Sequence, residues 1–229
     1  MASQLELVHL SDSRSFRVAW FVEELGIADK VKIHRFQRVG GKRAPEGMSK
    51  TLGLGAEFNK APVLKDGELV LYESEAILQH LAETRAPGRF LPSTSDAAAR
   101  ATVLQWFAFA EGTLMTHTIP ALYARWFLED EKTRDEFSDK LKGNISNDFA
   151  WIEKRLASQA GQGSDELFLC GNSLSIADVQ LAWSLEWVRG KELVDKTAYP
   201  HLERWLKQLA SRPAYKAAAA DGLHAYATA

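Results

Sequence analysis

The chain has 229 residues, 46% hydrophobic and 10% aromatic, which is enough for one large domain or two small ones with filled cores. A formal net charge of −2 gives no cationic footprint for nucleic acid, and 1 Cys excludes an internal disulfide and points to a reducing compartment. No apolar run approaches the ~18 residues a bilayer span needs, and residues 1–10 lack the basic start and apolar run of a secretory signal, so a cytoplasmic chain without a transmembrane segment is expected.

In chain order, Leu5 to Leu10 alternates as a strand does. The polar cluster Ser11-Asp12-Ser13-Arg14-Ser15 suits a loop that leads into a helix, with Ser15 as the expected N-cap. Phe16, Ala19, Trp20, Val22 and Leu25 then form a helical apolar stripe that stops at Gly26. Val31 to Phe36 alternates again, so strand, helix and strand make a unit of βαβ size. Arg38 to Phe58, with Gly40, Gly41, Gly47, Gly53 and Gly55, reads as a loop carrying one short helix.

Asn59 to Leu78 organises the first part of the chain. Ala61-Pro62 leads into a strand, Asp66-Gly67 offers a tight turn, and Leu69 to Tyr72 alternates as the returning strand. At Glu73-Ser74 the period changes from two to that of a helix, which runs to about Thr84. Ala86-Pro87-Gly88 and Leu91-Pro92-Ser93 then break the pattern. The expected organisation is an α/β domain over residues 1–86, a linker over 87–95 and an all-helical domain over 96–229.

The helical part begins with Asp96 to His117, which carries an apolar stripe through Val103, Trp106, Phe107, Ala110 and Leu114. Pro120 is expected to kink or end that helix before Ala121 to Leu128. Thr133 to Ala160 is amphipathic, Gly161 to Ser164 is a turn, and Ser175 to Arg189 is apolar on most sides, as the centre of a bundle would be. Pro200 to Leu209 and Pro213 to Ala220 supply two shorter helices. Cys170, in a Phe-Leu-Cys run, reads as a small buried hydrophobe.

Four stretches carry a resemblance. Ala61-Pro62-Val63-Leu64, Tyr72-Glu73-Ser74-Glu75-Ala76-Ile77, FLCGNSLSIAD at Phe168 to Asp178, and SRSFRVAWFVEELG at Ser13 to Gly26 stand in the order found in the cytosolic glutathione transferases, which the chain resembles over nearly its whole length. The last stretch is similar to a subgroup found in fungi and bacteria, one yeast member of which associates with the endoplasmic reticulum. The resemblance implies a thioredoxin-like N-terminal domain with a mixed four-stranded sheet and an all-α C-terminal bundle. It also implies a homodimer and a cytoplasmic location, with peripheral membrane association suggested by the subgroup alone.

For function, the resemblance implies conjugation of the glutathione thiolate to small hydrophobic electrophiles, with glutathione peroxidase activity as an added capacity and no metal. The alternative is a non-catalytic glutathione-binding or interaction module. A cis Ala61-Pro62 bond would present the Ala61 backbone to the cysteinyl unit as an added strand. Ser74 at a helix N-terminus would meet the γ-glutamyl carboxylate, Glu73 its ammonium, and Lys60 the glycyl carboxylate, with Lys42 and Arg43 as alternatives. On the residues alone Glu73-Ser74 reads first as a helix cap, since Ser is a favoured cap residue. Residues 56–59 lengthen the segment before Lys60 relative to the family pattern.

A thiol near pKa ~8.5 needs about 2.7 kcal/mol of preferential stabilisation to drop two units. The family places the responsible donor in the loop after the first strand. Here that loop offers Ser13, Arg14 and Ser11, in that order of preference, and it holds neither Tyr nor Cys. The second substrate is expected near Phe109, Gly112, Thr113, Thr116, His117 and Tyr123, and Ser175 with Asp178 is a capping box that serves folding.

Overall fold

The structure, a computed structural model, describes residues 5–53, 58–161 and 166–226. Of the expected features, half of the lengthened segment before Lys60 lies outside these residues, as does most of the turn at 161–164.

Four strands form one mixed sheet in the order β2-β1-β3-β4, from β1 (Leu5–Leu10), β2 (Val31–Phe36), β3 (Val63–Asp66) and β4 (Leu69–Tyr72). β1 and β2 are parallel, with Leu7 opposite Ile33, while β1–β3 and β3–β4 are antiparallel. The parallel pair requires a crossover, which α1 (Ser15–Glu24) provides. Nine of its ten residues are buried, so it is a core helix rather than an amphipathic surface one.

The hairpin turn falls one residue later than expected. Asp66 pairs with Leu69 inside the ladder, so the two-residue loop is Gly67-Glu68, with Gly67 at φ 62°. Asp66 is kept in the strand by its carboxylate, which accepts from His80 Nε2 at 2.9 Å and Arg85 Nη2 at 2.5 Å. Both donors lie on α2 (Ser74–Arg85).

The helices of the second half start where acidic caps sit. Asp96 accepts from Ala99 N at 3.1 Å to open α3 (Ala97–Phe109), and Asp130 accepts from Thr133 N at 2.7 Å to open α5 (Glu131–Ala160). Pro120 does not end its helix. It lies inside α4 (Thr116–Phe127), and the irregularity is upstream, where Ala110–Met115 forms a π-helical turn between α3 and α4. Thr116 Oγ1 donates to the Glu111 carbonyl and Thr118 Oγ1 to the Leu114 carbonyl, both at 3.0 Å. These hydroxyls satisfy carbonyls around the widened turn.

α6 (Ile176–Gly190) is buried continuously from Ile176 to Val188, as its all-round apolar sequence implied. It is followed by α7 (Pro200–Ser211) and α8 (Pro213–Ala219).

The chain divides into two compact units: Met1–Leu91 with Ala210–Ala227, and Pro92–Leu209. α8 and the residues after it therefore pack with the sheet. Tyr215 lies edge-on to Phe16 and Trp20 at 5.2 and 5.1 Å, and Arg212 donates from Nε and Nη2 to the Glu24 carboxylate at 2.7 and 2.9 Å. Among the described residues no helix is long and apolar enough to cross a membrane.

Candidate functional site

The site residues of the sheet-containing unit come from four segments. The Ala61-Pro62 peptide bond is cis, and Ala61 precedes the β3 ladder, whose first pair is Val63 with Tyr72. Ala61 packs against the cluster of Val8, Leu10, Met48 and Val63, which fixes that corner of the sheet.

Four residues past the hairpin partner Leu69, Glu73 takes φ 66° and ψ 122°, a conformation rare for any residue with a Cβ. Such a backbone costs on the order of 1–3 kcal/mol and persists only where the surroundings dictate it. The next residue supplies the constraint. Ser74 is buried and its hydroxyl accepts from Arg17 Nη1 at 2.9 Å, from the fully buried Arg17 of α1. Ser74 is thus the first residue of α2 rather than its cap, and Glu73 makes no side-chain capping bond. The Ser74 hydroxyl is bound to a guanidinium, beside the amides of a helix N-terminus. This is an arrangement that favours an anion. Arg17 was not singled out from sequence, because its partner is 57 residues away.

Lys60 is exposed, with Nζ 6.0 Å from the Phe58 ring centroid, and Phe58 in turn stands edge-on to Tyr72 at 4.6 Å.

In the loop after β1 the three hydroxyls are not equivalent. Ser15 lies within α1 and is fully buried. Its hydroxyl meets His9 Nδ1 at 2.6 Å and accepts from Leu10 N at 3.0 Å, so it is a folding element and not the N-cap, a position held by Arg14. Ser13 Oγ donates to the Leu10 carbonyl at 2.9 Å, accepts from Ser15 N at 3.2 Å and lies 2.7 Å from Ser15 Oγ. Ser11 Oγ accepts from Arg38 N at 2.9 Å, and among the described residues nothing accepts its hydroxyl proton. Arg14 is half-buried.

Arg38 was also missed from sequence, where it reads as one more loop cation. Its Nε donates to the Ser11 carbonyl at 2.9 Å, Nη1 to the Lys42 carbonyl at 2.8 Å and Nη2 to the Asp12 carbonyl at 3.4 Å. Burial lowers the pKa of this guanidinium, and the Asp12 carboxylate acts against that shift. Lys42 and Arg43 are exposed.

The residues expected near a second substrate belong to the helical unit and divide between two cavities. Phe109, Gly112 and Thr113 line one of about 660 Å³ with Asp148 and Trp151. Thr116 and Tyr123 line another of about 720 Å³, whose other walls include Met115, Ile119, Phe127 and Phe137. His117 is paired with Asp148, Nδ1 to Oδ2 at 2.7 Å; burial raises the Asp148 carboxyl pKa, while the histidine opposes that rise. Cys170 is buried, and burial followed by the nearby Asp178 carboxylate pushes its thiol up to about 12, so it is no nucleophile.

Residues 7–89 match the family model described as glutathione S-transferase, N-terminal domain, and residues 133–208 the model described as glutathione S-transferase, C-terminal domain. Glutathione S-transferase 3 of Schizosaccharomyces pombe is 28% identical over 227 residues, covering 93% of this chain and 86% of that protein. The crystal structure of a glutathione S-transferase from Actinobacillus pleuropneumoniae matches with a TM-score of 0.75 at 28% identity, over 95% of this chain and 92% of that one. A Phanerochaete chrysosporium glutathione transferase solved with oxidized glutathione shares the fold, with a TM-score of 0.71 at 18% identity and 96% coverage of both chains. Two family models in the expected order, on a sheet and a helical unit of the expected architecture, establish that this chain belongs to the glutathione S-transferase family.

Proposed function

We propose that the chain binds glutathione and conjugates its thiolate to small hydrophobic electrophiles, with peroxidase activity on organic hydroperoxides as an added capacity. The observation that carries this reading is the Arg17–Ser74 bond at the start of α2, beside the strained Glu73 and in the same unit as the cis Ala61-Pro62 bond. The γ-glutamyl carboxylate meets Ser74 and the α2 amides, Glu73 meets its ammonium, the Ala61 backbone pairs with the cysteinyl unit, and Lys60 faces the glycyl carboxylate. Oxidized glutathione bound to a protein of the same fold supports this choice of ligand. Ser13, Arg14 and Ser11 form the donor set for the sulfur. Ser11 has the proton to give, Ser13 gives one by releasing the Leu10 carbonyl, and Arg14 acts by charge.

Calorimetry with glutathione, followed by turnover of 1-chloro-2,4-dinitrobenzene by the wild type and by Ser11→Ala, Ser13→Ala and Arg14→Ala, tests the reading. It predicts binding, and a loss of kcat of at least about tenfold in one of the three variants, equivalent to 1.4 kcal/mol. No binding at millimolar glutathione sinks it. A second reading, a non-catalytic glutathione-binding module, is favoured by the engagement of the Ser13 hydroxyl within its own loop. Binding without turnover across several electrophile classes and hydroperoxides would select it. A homodimer in the cytoplasm completes the proposal, and sedimentation and cell fractionation test those two points, the latter including any peripheral membrane association.

A further inference from the structure

Asp12 stands in the candidate donor loop at φ 48°, a left-handed conformation that Asp tolerates better than most residues. Its N–H donates to the Leu223 carbonyl at 2.7 Å, and its Oδ1 accepts from Ala225 N, also at 2.7 Å. The C-terminal segment is thereby bonded to both the backbone and the side chain of one loop residue, more than 200 positions away in sequence.

That segment has its own anchors. Asp221 Oδ1 accepts from Leu223 N at 3.0 Å, closing a turn in which Gly222 takes φ 70°. Asp221 Oδ2 takes Arg35 Nε of β2 at 2.9 Å and lies 3.6 Å from His9 Nε2 of β1. Leu223 and His224 are buried, and the His224 ring stacks on Phe16 with centroids 4.1 Å apart and planes at 24°. Arg38 also donates to the Ser11 and Asp12 carbonyls. Arg38 therefore holds both Ser11 and Asp12, and the C-terminal turn holds Asp12 as well.

We propose that Asp221–Ala225 is a positioning strap for the thiol-activating loop, acting through Asp12 to hold Ser11, Ser13 and Arg14 in register with a bound thiol. The role rests on the glutathione reading, while the strap itself is a statement about the loop that holds without it. Asp12 and Ala225 are positioning residues: they align the donors and leave the glutathione-holding residues Ala61, Glu73 and Ser74 untouched. Tying the Asp12 carboxylate to Ala225 N also gives that anion a partner away from a developing sulfur anion, which a like charge would disfavour.

The variants separate the bond from the backbone. Asp12→Gly keeps left-handed freedom but removes the acceptor, Asp12→Asn keeps both, Ala225→Pro removes the donor, and Ala225→Gly retains it. In the full chain, Asp12→Gly and Ala225→Pro are expected to lower kcat with 1-chloro-2,4-dinitrobenzene by about tenfold or more while leaving the glutathione Kd within about twofold, since misplacement by 1 Å can cost far more in rate than in binding. Asp12→Asn and Ala225→Gly should stay close to wild type. In parallel, hydrogen exchange of the amides at 11–16 should speed up by about tenfold in the two strap-breaking variants only. Unchanged exchange there, or a Kd that rises in step with the fall in kcat, overturns the strap. A wild type that turns over nothing sinks conjugation instead, and exchange then decides the strap alone. Should Asp12→Gly fail to fold, Ala225→Pro, beyond the last helix, decides.

Discussion

Arg17 is fully buried on a helix whose neighbours are Phe16, Val18 and Trp20, and its guanidinium ends on the hydroxyl of Ser74. An unpaired buried charge is expensive, so the bond to Ser74 offsets part of the cost of burying this cation. Ser74→Ala removes that acceptor and one contact to the proposed glutamyl carboxylate. Hydrogen bonds to charged groups contribute roughly 1.5–3 kcal/mol, so the glutathione Kd should rise by about tenfold or more in calorimetry; an unchanged Kd would remove Ser74 from the site. His9, on the neighbouring strand, shows the opposite strategy. Burial, with Arg35 and His224 adding to it and Asp221 opposing it, depresses its pKa to about 4. Between that value and the ordinary one near 6.5, the unfolded chain binds a proton that the folded chain refuses. The stabilisation is therefore complete above about pH 6.5 and is lost as pH falls toward 4, on the order of 3 kcal/mol in all. A histidine NMR titration should leave the His9 resonance unprotonated at pH 5.5, and His9→Asn should flatten the stability slope over this window. A midpoint near 6.5 for His9 would contradict the burial argument.

At the scale of elements, α6 depends on one carboxylate. Ser175 and Asp178 form the expected capping box, but Asp178 does more than cap: it accepts from Ser175 N at 2.9 Å, Ser175 Oγ at 2.7 Å, Leu169 N at 2.8 Å and Trp205 Nε1 at 3.3 Å, while completely buried. Burial raises its carboxyl pKa against the pull of these four donors. Ser175→Ala should cost about 1 kcal/mol as a lost cap. Asp178→Ala strands several buried donors at once and should cost at least about 3 kcal/mol. Urea melts of the two variants compare these directly, and equal losses would show that the box alone matters. The box was legible in sequence because its partners are three residues apart; Leu169 and Trp205 were not. The same distinction runs through the molecule. β1 and β2 have the predicted bounds, since a period of two needs only local residues. The hairpin turn moved by one residue because Asp66 is held in the strand by His80 and Arg85. Pro120 was expected to kink or end its helix, yet it lies inside α4, and the irregularity is the π-helical turn upstream at Ala110–Met115. In the candidate site, the cis Ala61-Pro62 bond was implied by the family resemblance and the start of α2 at Ser74 by adjacent residues, whereas Arg17, Arg38 and the Asp12–Ala225 bond arise from pairs far apart in the chain.

At the scale of the whole chain, the sheet-containing unit is discontinuous. Its last part, Ala210–Ala227, is synthesised after the entire helical unit Pro92–Leu209. The face of α1 covered by that part is apolar and charged at once: Tyr215 sits against Phe16 and Trp20, and Arg212 meets Glu24, whose side chain is 5% exposed. Burying Tyr215 and Leu223 contributes roughly 1.5–3 kcal/mol each, a large share of a typical domain stability of about 5–15 kcal/mol. Without Arg212, Glu24 would keep, among the described residues, only the Trp20 indole as a donor while remaining among buried neighbours. A fragment of residues 1–91 should therefore lack a native fold, with poor amide dispersion in NMR and no cooperative melt. Adding a peptide of residues 210–226 should restore both, because it returns Arg212, Tyr215, Leu223 and His224 to α1 and to the β1 loop. The contiguous fragment 92–209 holds every partner of Asp178 and should melt cooperatively by itself. Native dispersion from residues 1–91 alone would show that α8 is an accessory layer, and would move the boundary of the first unit back to where chain order placed it.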